Sequence, residues 1–248
     1  MKIYDTLIIG CGYASVGYAK ANPNTVICEE HQICDTGFYL PLRSFAYSQY
    51  SPKTEAGGRL KAVFDELMLF KNSFQNTNGF ESAFCKYIVA DPTDIILKCR
   101  VVGYKVNSEG IIDATILTNE GLSHIFTRKI LNSVSSAPQN RLTVLFTTDD
   151  IEAEKELLLS SFEDATIEPA FYENRYALHF KCGKIDENAV KLLIYRRWYE
   201  IKTNAKILYI APVYYGDTVP SNPLCDANYA NPVEAFEAGY FCAKEEQK

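Results

Sequence analysis

The sequence has no C-x-x-C pair and no block of basic residues, and it holds only three histidines and one tryptophan. It also has no apolar run approaching the roughly 18 residues that a membrane-spanning helix needs. Each absence removes a class of function. Three scattered histidines, His31, His124 and His179, give a zinc site little support. The balance of 25 basic against 31 acidic residues, a net charge of −6, argues against nucleic acid as the main partner. The N-terminal apolar stretch is too short for a signal peptide and leads into a glycine turn. The eight cysteines are scattered, several inside apolar runs, which fits reduced thiols in a cytoplasmic protein without a membrane partner. What is present is 248 residues at 47% hydrophobic content, enough for one large domain or two modest ones.

The stretch Lys2 to Glu30 organises the rest. Leu7, Ile8 and Ile9 form a short apolar run suited to a buried strand, and Gly10 and Gly12 follow at once. Residues 13–21 suit a helix, and the turn Asn22-Pro23-Asn24 leads to a second apolar run, Val26 to Cys28, which ends in Glu29 and Glu30. Strand, glycine turn, helix, strand and acid follow the order of a dinucleotide-binding βαβ unit, the alternative being a βαβ unit that binds no nucleotide. Gly10 allows a tight turn, and Gly12 lets the backbone approach a pyrophosphate. The helix start offers that anion unpaired N–H groups. Glu29 is placed to accept from an adenosine ribose, with Glu30 as the alternative. Ser15 stands where the pattern has its third glycine; it is small, and its hydroxyl could reach a phosphate. Gly17 is out of register to replace that glycine.

Beyond this unit, residues 33–50 read as an ordered, aromatic-rich loop over the binding site. Tyr39, Arg43, Tyr47 and Tyr50 either touch a ligand or pack on the surface. Apolar spacing predicts a helix over 54–74 and another over 80–90, stopped by Asp91-Pro92, and then a strand at 94–97. Residues 99–128 read as a β-meander, with turns at 107–110 and 118–121, followed by a short strand at 129–134. A strand at 141–147, a helix capped by Asp149 with Glu152 and running to Phe162, a strand at 176–182 and a helix opened by Asp186 form a small α/β insertion. An apolar strand at 206–211 and a proline-punctuated loop follow. Asn231-Pro232 then opens a last helix, to 244.

Four features together resemble the FAD-dependent oxidoreductases of the two-dinucleotide-binding-domain flavoprotein fold. They are Asp5-Thr-Leu-Ile-Ile-Gly10-Cys-Gly12-Tyr-Ala-Ser15 ending at Glu29, the strand Asp94 to Tyr104, the meander with Ile130-Leu-Asn-Ser behind it, and the ending Leu208-Tyr-Ile-Ala … Gly216-Asp217 … Asn231-Pro-Val-Glu. The resemblance implies an α/β class: a Rossmann-like FAD-binding domain with central parallel sheet and β-meander, plus a small α/β (α+β) substrate-side domain. The FAD-binding part would be discontinuous, over 1–50, 90–135 and 205–248, with a helical connection at 51–89 and the substrate side at 136–204. FAD would lie with Gly10, Gly12, Tyr13, Ala14 and Ser15 around its pyrophosphate and Glu29 or Glu30 at its ribose. Val101 would meet adenine through its backbone, Asp217 would approach the ribityl chain or phosphates, and the helix start at Asn231 would face the flavin pyrimidine ring. The sequence departs from the family in three places. His31 to Gly37 stands where a double glycine is usual, no Ala-Thr-Gly ends the strand before Ser135, and Gly216-Asp217 comes four residues late.

Three functions remain open at this level. One is a flavin-dependent oxidoreductase acting on a small-molecule substrate or electron-transfer partner, with Arg43, Tyr47, Tyr214 and Tyr215 as acid–base or substrate-anchoring candidates. The missing cysteine pair disfavours its disulfide-reductase branch. Another is a non-catalytic flavin- or nucleotide-binding subunit docked on a partner protein, as part of a homo- or hetero-oligomer. The third, a nicotinamide enzyme, leaves the ending unexplained.

Overall fold

The computed structural model describes residues 2–32, 34, 38, 42, 50–71, 74–75, 77–134, 139–183, 186–212, 215–216, 222–229 and 231–247. The chain opens with β1 (Ile3–Tyr4), β2 (Thr6–Ile9), helix α1 (Tyr13–Ala21) and β3 (Thr25–Glu29). Helix α2 (Glu55–Glu66), the hairpin of β4 (Phe70–Lys71) and β5 (Phe74–Gln75), helix α3 (Thr77–Ala90) and β6 (Asp94–Leu97) follow. Next come β7 (Arg100–Val106), β8 (Ile112–Thr118), β9 (Gly121–Thr127) and β10 (Ile130–Asn132). The second half holds β11 (Gln139–Thr147), α4 (Ile151–Ser161), β12 (Glu163–Pro169), β13 (Arg175–Lys181) and α5 (Glu187–Glu200). Strands β14 (Lys206–Ile210) and β15 (Tyr215–Gly216), a 3-10 turn at Asp226–Asn228 and helix α6 (Pro232–Glu246) complete it.

The first layer is a parallel sheet in the order β10-β2-β3-β6, with Leu7 opposite Val26 and Ile27 opposite Ile95. Beside it lies the antiparallel meander β7-β8-β9, extended by β1. Helix α1 is buried on every face, only Lys20 reaching partly to solvent, because it lies deep in the core against α6. The two helices meet backbone to backbone. A Cβ on Gly17 would fall 1.8 Å from the Phe236 carbonyl oxygen, and one on Gly239 would fall 1.8 Å from that of Ala14. Gly17, out of register for a phosphate motif, is thus needed for helix packing.

The second layer is an antiparallel sheet in the order β12-β13-β11-β14, and β15 also pairs with β11. It has its own core, in which Phe146, Phe180, Ile194 and Trp198 pack with Leu142, Leu178 and Ile210. The mixed α/β class with a parallel sheet and a meander is the one the sequence indicates.

Four expectations need correction. The helix expected over 54–74 stops at Glu66, because Met68 adopts a left-handed φ of 48°. Met68 N–H donates to Asp65 O, and Leu69 N–H to Phe64 O, a helix stop usually carried by glycine. The cap of α4 is Asp150, which accepts from Ala153 N–H, and not Asp149. Strand β12 was not anticipated; it is an edge strand, charged and closed by Pro169. The strand at 206–211, expected on the nucleotide side, pairs instead with β11, and Ile210 sits in the second core.

Candidate functional site

The glycine turn leaves β2 as the sequence requires. Gly10 has a φ of 97°, and a Cβ there would lie 2.5 Å from Ser133 Oγ. The Ser133 hydroxyl sits 2.9 Å from the carbonyl oxygens of both Ile9 and Gly10, donating towards the turn. Gly12 is the N-cap residue of α1 and offers no side chain to the helix's free N–H groups.

Two of those N–H groups are taken by a carboxylate of the chain itself. Tyr13 N–H donates to Asp226 Oδ2 and Ala14 N–H to Asp226 Oδ1, each at 2.9 Å. Asp226 comes from more than 200 residues away and is 5% exposed. Its carboxylate fills the space over Gly12, where a Cβ would lie 2.4 Å from Oδ2. Beside it, Cys11 N–H donates to Glu29 Oε2 at 2.6 Å, and Glu29 Oε1 receives His31 N–H at 2.8 Å and contacts His31 Nδ1 at 2.7 Å. Glu29 is 2% exposed. The Cys11 thiol is pushed well up by its hydrogen bond with Cys34, by burial, and by the nearby charges of Glu29 and Asp226. Burial and the Asp226 charge push the Tyr229 phenol up to about 12.

In this arrangement the cradle does not fit a dinucleotide diphosphate. Two unit charges 4 Å apart repel by about 4 kcal/mol at an effective dielectric of 20. A diphosphate over Gly12 would bring such a charge against Asp226, and the N–H groups of Cys11, Tyr13 and Ala14 that would offset it already serve carboxylates.

The structure therefore brings Gly10, Gly12, Tyr13, Ala14, Ser15 and Glu29 together, but around Asp226. The Tyr13 ring is turned into the core, 4.0 Å from Phe84 and 5.4 Å from Phe38 between centroids. Ser15 is fully buried, and its hydroxyl has no hydrogen-bond partner among the described residues. Glu30 is exposed, with its carboxylate 3.7 Å from Arg100. Val101 lies on β7 opposite Ile116, just past Cys99, whose N–H donates to the Glu29 carbonyl. Asn231 caps α6, accepting from Glu234 N–H at 2.8 Å, with Pro232 in the first helical position. Tyr215 lies on β15 opposite Arg141, and its side chain is outside the description. Arg43, Tyr47, Tyr214 and Asp217 lie outside the described residues, as does Tyr39. The loop residues that are described, Cys34, Phe38 and Leu42, are buried in packing roles.

Two functional-looking acids escaped the sequence reading. One is Asp226, whose only local signal is an acid among asparagines and prolines just ahead of the closing helix. The other is Glu237 on α6, 1% exposed. It accepts from Tyr50 Oη at 2.6 Å, from the N–H groups of Lys53 and Thr54, and from Thr54 Oγ1, and so closes the N-terminus of α2. Among the described residues no group of three or more His, Cys, Asp or Glu side chains is placed to hold a metal, and no helix is long and apolar enough to cross a membrane.

No family model matches the sequence, and no curated protein matches it. Solved structures do. BexE, studied for oxidation during BE-7585A biosynthesis, matches with a TM-score of 0.60 at 11% identity, over 97% of this chain and 60% of its own. The p-nitrophenol 4-monooxygenase PnpA from Pseudomonas putida matches with a TM-score of 0.56 at 12% identity, over 99% of this chain and 81% of its own. Aklavinone-11 hydroxylase, in a ternary complex with FAD and aklavinone, matches with a TM-score of 0.50 at 10% identity, over 84% of this chain and 52% of its own. This chain thus spans about 60% of BexE and about half of the hydroxylase. At such identities the likeness is one of fold, a mixed α/β fold of Rossmann-like type.

Proposed function

We propose that this chain is an FAD-binding flavoprotein oxidoreductase that moves a hydride or electrons between a small molecule and the flavin. The observation that carries the reading is the parallel sheet β10-β2-β3-β6, with its glycine turn at the head of α1 and Glu29 ending the neighbouring strand. It stands within a fold shared with BexE and PnpA over nearly the whole chain. Flavin, when bound, supplies the redox chemistry; the protein's part is to bind and orient it. The antiparallel layer, residues 136–204 with β14, serves as the substrate side. In support, it is a separately cored sheet with a groove of about 390 Å³ whose mostly apolar wall, with Phe162, Phe180 and Ile194, is edged by Arg196, Arg197 and Glu200.

A second reading, a non-catalytic subunit that docks on a partner protein, draws its support from Asp226 lying over Gly12. The absorption spectrum of the purified protein separates the two, together with the mass of any small molecule released on denaturation. A yellow protein that releases FAD, bleaches with a reductant and recovers with an acceptor supports the oxidoreductase. A protein that takes up no added FAD, either as the parent or with Asp226→Ala opening the space over Gly12, overturns it.

A further inference from the structure

We propose that Asp226 is an autoinhibitory contact: the chain's own anion holds the diphosphate site shut, and a dinucleotide binds only by displacing it. The proposal rests on the flavoprotein reading for the identity of the dinucleotide, but its geometry stands apart from that reading.

Three observations support it. First, the contact is bidentate and placed where a phosphate would be cradled, with one oxygen on Tyr13 N–H and the other on Ala14 N–H. Ordinary N-caps come from the residue next to the helix; here that residue is Gly12, and the acid arrives from the far end of the chain. Second, the two occupants exclude one another. The carboxylate fills the space over Gly12 that a close-approaching phosphate would need, and its charge repels an anion. Third, the segment that carries Asp226 is built as a unit. Asn222 Oδ1 accepts from Leu224 N–H, and Asn222 O accepts from Cys225 N–H and Asn228 Nδ2. Tyr229 Oη donates to Pro223 O. These bonds would travel with the segment if it swung outward. Its ties to the rest of the chain include the two Asp226 bonds, the Asn222 Nδ2 bond to Asn132 O, and the burial of Leu224 in the first core. The fully buried hydroxyl of Ser15, in the first turn of α1, has no hydrogen-bond partner among the described residues and lies at the same helix end.

The test is to titrate FAD, ADP and inorganic pyrophosphate into the parent, Asp226→Ala, Asp226→Asn and Asn222→Ala, following protein fluorescence or heat. Asp226→Asn keeps the shape should Asp226→Ala fold poorly, and Asn222→Ala loosens the segment while leaving the carboxylate in place. The expected result is FAD and ADP binding at least about tenfold tighter in all three variants than in the parent. Parent and variants binding FAD equally tightly overturns the autoinhibitory contact and leaves the flavoprotein reading standing. Variants that gain ADP or pyrophosphate, while nothing binds FAD, uphold the contact and remove the flavin. Variants that melt earlier and gain affinity for none of the three probes reduce Asp226 to a structural cap and end the proposal.

Discussion

Among the described residues of the parallel layer three carboxylates are almost fully buried, Glu29, Asp226 and Glu237, and each accepts from main-chain N–H groups at a turn or helix start. In the antiparallel layer the buried acid among the described residues is Glu154, which ties α4 to Thr203 Oγ1 and to Asn204 N–H, and the buried histidine His179 bonds Thr143. Elsewhere that layer is held by side chains interlocking, such as Phe146 edge-on to Trp198 and Phe162 against Phe180. One layer thus adds buried carboxylates and a backbone-to-backbone helix contact to its apolar core, while the other rests mainly on apolar packing. A buried carboxylate that accepts from several main-chain N–H groups fixes the turn or helix start that supplies them.

The sharpest way to break that contrast is through glycine. Adding a methyl group at Gly17 drives α1 off the α6 backbone, since the obstacle is the Phe236 carbonyl and not a flexible side chain. Gly17→Ala is expected to cost about 3 kcal/mol or more. Gly58 on α2 has nothing within 4 Å of a new Cβ, so Gly58→Ala is expected to gain about 0.5–1 kcal/mol from helix propensity. Urea midpoints with unchanged slope check both values. A Gly17→Ala protein as stable as the parent would mean that the two helices do not touch as the structure has them.

A smaller effect sharpens the comparison through the buried acids. Glu237→Gln turns an acceptor serving four groups into one carrying donors of its own, aimed at the N–H groups of Lys53 and Thr54. The expected loss is about 2–3 kcal/mol. Glu154→Gln keeps its oxygen for Asn204 N–H and turns its amide N–H groups towards the Thr203 hydroxyl, which can accept as well as donate, so the expected loss is about 1 kcal/mol. Thermal melts of the pair rank them, and the reverse order would show that the second layer depends on buried charge as much as the first.

Much of this was open to sequence reasoning, and the parts that were not share a cause. The βαβ unit, the meander and the Asn231-Pro232 helix start carry local signals: apolar runs, turn glycines and a cap followed by proline. The fit of α1 on α6 and the acids at the helix starts depend on residues more than 180 positions apart, and nothing in the local pattern ties Glu237 to Thr54 or Asp226 to Tyr13. Gly17 looked idle because its reason lies on another helix. Met68 ends α2 in a conformation for which glycine would have been the signal. The same limit holds for the site. The chain's capacity to cradle an anion is legible at Gly10 and Gly12, whereas the identity of the anion now held there is a tertiary fact.

The weakest expected effect lies at the surface of the parallel layer, where Tyr18 Oη donates to Glu246 Oε2 at 2.5 Å and Lys129 Nζ bonds both. Partial burial pushes the Glu246 carboxyl up, but the Lys129 and Tyr18 hydrogen bonds hold it down and prevail. A carboxyl held low in the folded state adds stability above its unfolded value, near 4.5, and that contribution fades as pH falls through the lower, folded value. Burial lowers the Lys129 ammonium, yet its bonds to Glu246 and Tyr18 raise it on balance, so its share is complete below the ordinary value of 10.5 and fades as pH rises through the folded one. Lys129→Met is therefore expected to lower the melting temperature most between those limits, with the gap to the parent closing in acid and in strong base. With both side chains 39% exposed, solvent screens much of the interaction, and the gap should also shrink in high salt. Arg196→Met on α5, which opens an exposed pair with Glu200, should give a difference curve nearer to flat. A Lys129→Met curve equally flat would mean that this corner adds no more to the parallel layer than an exposed ion pair does.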